Sequence, residues 1–304
     1  TLWIGGTPIA GAMAAGALIA TLFALLIGVA AFRLRGAYFA IGTLGLAEIL
    51  RITVGNVLPV ISALPAEHVQ RYNLVPRYFA ALDRVLARVQ GRYSVHGEVR
   101  AAMDSVIACF GIEETMVALL TEPEKIEPVL EYFAERSAAW AEAQIRRGAD
   151  AVKISAPFAG GGFISRDHYE RFVLPYETFI GERVRRAGGF AYIHTCGAIG
   201  DRLDLMERTG VHGLECLDPP PLGNVELRAA KDLLRGKLFI KGNVDSVNTL
   251  LRKNVEGVRR DVREILDVGT RGGGFILSTA CSVAPPVKPE NIHAMVEECR
   301  GWTA

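Results

Sequence analysis

The chain has 304 residues, enough for one large domain or two ordinary ones, and its charge is nearly balanced at a formal +1. That balance argues against a nucleic-acid partner. Five cysteines, an odd number spread thinly through a long chain, do not form the dense pattern of a disulfide-stapled secreted domain, so a reducing cytoplasm is expected.

The first 32 residues carry no charged side chain, and up to residue 66 only Arg33, Arg35, Glu48 and Arg51 do. The run "IAGAMAAGALIATLFALLIGVAAF" (9–32) exceeds the roughly 20 apolar residues that cross a bilayer core, and predicts a transmembrane helix. It is long for a signal-peptide core and lacks a preceding basic region. Arg33 and Arg35 follow at once, placing its end on the cytoplasmic side. The continuation "FRLRGAYFAIGTLGLAEILRITVGN" resembles, with the preceding run (9–56), a segment of the permease subunits of branched-chain amino acid ABC transporters. One or two helices form no transport path, so transport is not expected of this chain.

"ISALPAEH" (61–68) marks a change to ordinary soluble composition and sets an expected boundary near Pro65, dividing a hydrophobic segment, 1–65, from a second domain, 66–304. Beyond it, short β-rich runs alternate with longer charged helical patterns, the signature of parallel βα units. Candidate strands are 93–99, 150–155, 190–194, 213–217, 237–243 and 274–278, predicting a (β/α) barrel or a doubly wound sheet. Six strands fall two short of a closed (β/α)₈ barrel, the shortfall lying at the start.

Along "FAYIHTCGAIGDRL" (190–203), Tyr192, His194 and Cys196 share one face if the strand stays extended, at the carboxyl end where barrel enzymes place reactive groups. A His and a Cys two apart can reach one ion, but two ligands do not make a zinc site. "GFILSTACSVAPPVKPENI" (274–292) offers Cys281 just past another strand. Position alone favours plainer roles, small buried hydrophobes and a hydrogen-bonded histidine.

"AYIHTCGAIGDRL", "KGNVD" (241–245) and "GGGFILSTACSVAPPVKPENIHAM" (272–295) resemble the uroporphyrinogen decarboxylase superfamily, most closely its cobalamin-linked methyltransferase branch. "FGIEETMVALLTEPEKI", "GADAVKISAPFA" and "FISRDHYERFVLPY" extend the likeness over about residues 90–300. The resemblance implies a TIM-type barrel lacking its first strands, with zinc on His194, Cys196 and Cys281. It also implies transfer of a methyl group between a corrinoid, on a partner protein, and a small thiol deprotonated by the zinc. The expected location is a cytoplasmic enzyme domain anchored in the inner membrane through 9–32.

Several positions stay open. Asn243 and Asp245 fit either a substrate pocket or the cap of the next helix; Tyr176, in "LPY", fits a substrate site or a buried helix end. "APFAGGG" (156–162) reads as a substrate loop or a plain turn. Glu98, Asp104, Glu215 and Asp218 lie near strand ends as candidates for a labile fourth ligand or a base. His68, His96, His168, His212 and His293, with Cys109, Cys216 and Cys299, read as structural or exposed. No "RQAGR"-like segment for tetrapyrrole carboxylates is found, which makes a metal-free decarboxylase the weaker enzymatic reading. The shift near Pro65, the missing strands and a start at Thr1 rather than Met also fit an inactive join of a permease fragment to a truncated enzyme.

Overall fold

The computed structural model describes residues 3–4, 7–8, 18, 79–89 and 91–303. The chain divides into two units, Thr1–Ala63 and Leu64–Ala304. In the first, the described strands β1 (Trp3–Ile4) and β2 (Thr7–Pro8) pair antiparallel. The expected span at 9–32 and the permease-like stretch at 9–56 lie outside the described residues. Among the described residues, no helix is long and apolar enough to cross a membrane.

The second unit is a six-stranded sheet in the order β3–β4–β5–β6–β7–β8, every neighbouring pair parallel. Its strands are β3 (His96–Arg100), β4 (Ala151–Ser155), β5 (Phe190–Thr195), β6 (Gly213–Cys216), β7 (Phe239–Val244) and β8 (Phe275–Thr279). The described helices are α1 (Ala80–Val89), α2 (Ala102–Phe110), α3 (Ile112–Thr121), α4 (Pro123–Arg146), α5 (Arg166–Phe172), α6 (Leu174–Arg186), α7 (Leu203–Arg208), α8 (Leu227–Leu234), α9 (Val255–Gly269) and α10 (Pro289–Gly301). A doubly wound sheet reverses its strand order at a switch point, whereas this order follows the chain without reversal, so the winding is that of a barrel. Among the described residues β3 and β8 are not paired with each other, and the sheet has six of the barrel's eight strands.

All six strands fall where the sequence places them. The largest difference is at β3, which starts at His96 rather than at 93. β6 stops at Cys216 because Cys216 and Leu217 take φ of 89° and 53°, which no extended strand accommodates. The longest helix, α4, has Pro123 in its first turn, where the missing N–H costs nothing, and Arg146 in its last. Its buried stripe Ile126, Leu130, Ala134, Ala138, Ala141 and Ile145 recurs at three- and four-residue steps.

Register separates the two faces of the sheet. Val152, Ile154, Ala191, Ile193, Leu214 and Ile240 are buried in the main apolar core with the helices. The opposite face carries the row Ser155, His194, Glu215 and Lys241, paired across β4 to β7. Lys153 and Tyr192 pair one step below it. Polar groups on that face are therefore set by the pleat, and their chemistry sits at the carboxyl end of the strands.

Candidate metal centre

His194, Cys196, Cys216 and Cys281 converge there, with one donor atom from each lying within 4.8 Å of all the others. Cys196 Sγ is 3.3 Å from His194 Nε2 and 3.6 Å from Cys281 Sγ, although Cys281 is 85 residues away. His194 comes from β5, Cys196 from the residue after it ends, Cys216 from the end of β6, and Cys281 from the loop after β8. Four donors around one tetrahedral zinc with bonds of about 2.3 Å stand about 3.7 Å apart. The two separations from Cys196 Sγ lie close to that edge, and a pair at 4.8 Å needs to close by about 1 Å.

The imidazole is aimed by its neighbours. His194 Nδ1 donates to Glu215 Oε2 at 2.8 Å, which leaves Nε2 facing the sulfurs. A carboxylate behind a histidine is the usual means of fixing the tautomer that binds a metal. Glu215 is held in turn by Lys241 Nζ, 2.5 Å from Oε1, and Lys153 Nζ lies 4.0 Å from Oε2. Burial alone would raise the Glu215 pKa, but the hydrogen bonds from His194 and Lys241 pull it down to about 2. Burial would lower His194, yet its contacts with Cys196, Cys281 and Glu215 outweigh that and raise its pKa to about 11. Cys281 is pushed well below the ordinary thiol range by Cys196, Cys216 and His194, while Cys216 is pushed up by Cys196, Cys281 and burial. Metal binding must displace the imidazole proton and those of the remaining thiols, so the cluster is of the proton-linked kind.

Two carboxylates complete this end of the sheet. Asp218 Oδ2 accepts from Gly197 N–H at 2.7 Å and from the Cys216 thiol at 3.3 Å, while Oδ1 is buried with no partner among the described residues. Asp104 Oδ1 accepts from Phe158 N–H at 3.3 Å, and its Oδ2 is likewise buried without a partner among the described residues. Burial raises the Asp104 pKa to about 7. One imidazole and three sulfurs form a donor set suited to zinc.

The residues called open by the sequence fall into distinct places. "APFAGGG" braces the centre: a Cβ on Gly160 would lie 2.6 Å from the Cys196 carbonyl oxygen, so only glycine lets the two backbones approach. Asn243 is buried and donates from Nδ2 to the Leu217 carbonyl at 3.1 Å, holding the turn after β6. Asp245 Oδ1 accepts from Val247 and Asn248 N–H and Oδ2 from Asn248 Nδ2, on the turn after β7. The Tyr176 hydroxyl donates to the Glu127 carbonyl at 3.3 Å, between α6 and α4.

Sequence reasoning missed Cys216, read as structural. Its signal was its place at the end of the strand beside the His-x-Cys strand, with Thr195 and Cys216 in direct register. His96 also gains a partner, its Nδ1 lying 3.0 Å from the Tyr192 hydroxyl.

A sequentially wound parallel sheet with a His/Cys cluster at its carboxyl edge defines a barrel-type α/β protein with a candidate metal centre. Residues 57–302 match the family model described as uroporphyrinogen decarboxylase (URO-D), and the chain belongs to that family. The match begins beyond the permease-like stretch. Among curated relatives, a methylcobamide:CoM methyltransferase, MtbA, of Methanosarcina acetivorans is 29% identical over 184 residues, 60% of this chain and 51% of that protein. A uroporphyrinogen decarboxylase of Methylococcus capsulatus is 30% identical over 179 residues, 58% of this chain and 48% of that protein. The chain thus spans about half the length of these relatives. A solved methyltransferase from Methanosarcina mazei superposes with a TM-score of 0.63 at 22% identity, covering 72% of this chain and 61% of that one, a likeness of fold.

Proposed function

We propose that this chain is a zinc-dependent methyltransferase that moves a methyl group between a corrinoid on a partner protein and a small thiol. The observation carrying this reading is the convergence of His194, Cys196 and Cys281 on one point at the strand ends. The MtbA likeness supports it, since that relative's name specifies a methylcobamide and CoM. His194 Nε2 and the sulfurs of Cys196 and Cys281 would hold zinc. Zinc bound there would lower the pKa of a thiol and keep it as the nucleophilic thiolate. Glu215 keeps the proton on His194 Nδ1, so Nε2 stays a donor, and Lys241 and Lys153 hold Glu215 ionised.

The tetrapyrrole decarboxylase reading is favoured by the Methylococcus relative, and the His/Cys cluster at the strand ends weighs against it. The test is incubation of the zinc-loaded chain with methylcobalamin and a small thiol, following loss of the methylcobalamin absorbance. Demethylation by the wild type, reduced at least about 100-fold in His194→Ala, is expected. Equal rates in both proteins, or decarboxylation of uroporphyrinogen with no demethylation, would contradict the proposal.

A further inference from the structure

The centre contains one sulfur more than that reading uses. We infer that Cys216 is a fourth protein ligand of the zinc, so that without thiol the centre is closed by one imidazole and three cysteine sulfurs. The inference rests on the zinc reading and deepens it.

Three independent features of the chain point to Cys216. Its sulfur lies within 4.8 Å of the donor atoms of His194, Cys196 and Cys281, in the position that completes a four-donor cluster. It is fully buried, so no water competes for that position. Its backbone is also held in an unfavourable state, with φ of 89° at Cys216 and 53° at Leu217, a region that residues other than glycine rarely adopt. Neighbours enforce that turn. Asn243 Nδ2 holds the Leu217 carbonyl, and a Cβ on Gly242 would lie 2.5 Å from the Cys216 carbonyl oxygen, so glycine alone fits beneath it. A cysteine kept merely as a small hydrophobe has no need of such a turn.

A closed centre changes what an entering thiol must do. It would replace a protein ligand, and Cys216 has a carboxylate acceptor at hand, since Asp218 Oδ2 lies 3.3 Å from its sulfur. The exchange would balance within the site: the proton given up by the entering thiol would be taken by Cys216, whose S–H would then donate to Asp218 Oδ2.

The test uses the full chain loaded with Co²⁺ in place of zinc, reading the near-ultraviolet sulfur-to-cobalt charge-transfer band, whose intensity counts bound thiolates. For wild type the expected intensity falls by roughly one third in Cys216→Ala, three thiolates becoming two. Adding 2-mercaptoethanol should leave the wild-type intensity unchanged, one thiolate replacing another, and raise that of Cys216→Ala by roughly half. The wild-type titration stands by itself if the variant does not fold. Equal intensity in wild type and variant, or a rise by half in wild type on adding thiol, would overturn the inference and leave the fourth position open or to Asp218. No tetrahedral cobalt spectrum and no zinc in folded wild type would overturn the zinc reading and this inference with it.

Discussion

Glu215 decides whether the centre has a usable imidazole. With its carboxylate accepting from His194 Nδ1, the lone pair of Nε2 faces the sulfurs; an amide at the same place can present a donor instead and favour the wrong tautomer. Glu215→Gln is therefore expected to weaken zinc binding by roughly 10–100-fold, read by competition with a chromogenic chelator. An unchanged affinity would mean that His194 is not a ligand. At this scale the sequence was partly legible. His194 and Cys196 announce themselves because two-residue spacing on a strand puts both on one face. Cys281 needed the family likeness, since nothing local links it to a strand 85 residues away. Cys216 stayed hidden because "GLECL" reads as any buried strand, and the left-handed turn that presents its sulfur is set by contacts from Asn243 and Gly242 on the next strand.

Between elements, α5 and α6 are tied by a buried pair. Tyr169 donates to Glu177 Oε2 at 2.5 Å, and Glu177 Oε1 has no partner among the described residues. Burial raises the Glu177 pKa from its ordinary 4.5 to about 8, so the folded chain holds a proton there that the unfolded chain releases above pH 4.5. The sign follows: this contribution is fully present below about pH 4.5 and is lost as pH rises toward and through 8, by at most on the order of 1 kcal/mol per pH unit. Urea unfolding at pH 5 and pH 8 should show that decline in wild type and a flatter profile in Glu177→Gln; parallel profiles would refute it. At the start of α9, Asn254 Oδ1 accepts from Gly257 N–H at 3.0 Å, so Asn254→Ala should cost about 1 kcal/mol in the same experiment. Strands and helices were legible because hydrophobic periodicity and local punctuation carry them. Which turn a polar residue would serve was less so: Asp245 spends its oxygens on its own turn, a choice fixed by backbone geometry that spacing does not reveal.

Across the whole molecule, the winding was legible as far as strand number and direction, and the sequential order of the sheet settled between the two architectures that alternating βα units allow. The donors then join segments that the chain separates, from β5 through β6 to the loop after β8. A metal held by the folded chain and not by the unfolded one stabilises it by mass action, about 2.7 kcal/mol at a free concentration 100 times Kd. Stripping it with a chelator should lower Tm by several degrees. The most direct measurement is the zinc content of the purified full chain beside that of Cys281→Ala, with circular dichroism confirming that both are folded. About one zinc per chain in wild type is expected, and a clearly lower content in the variant, which keeps three of the four donors. A folded wild-type chain without zinc would contradict the metal centre and return the family's metal-free chemistry to the front.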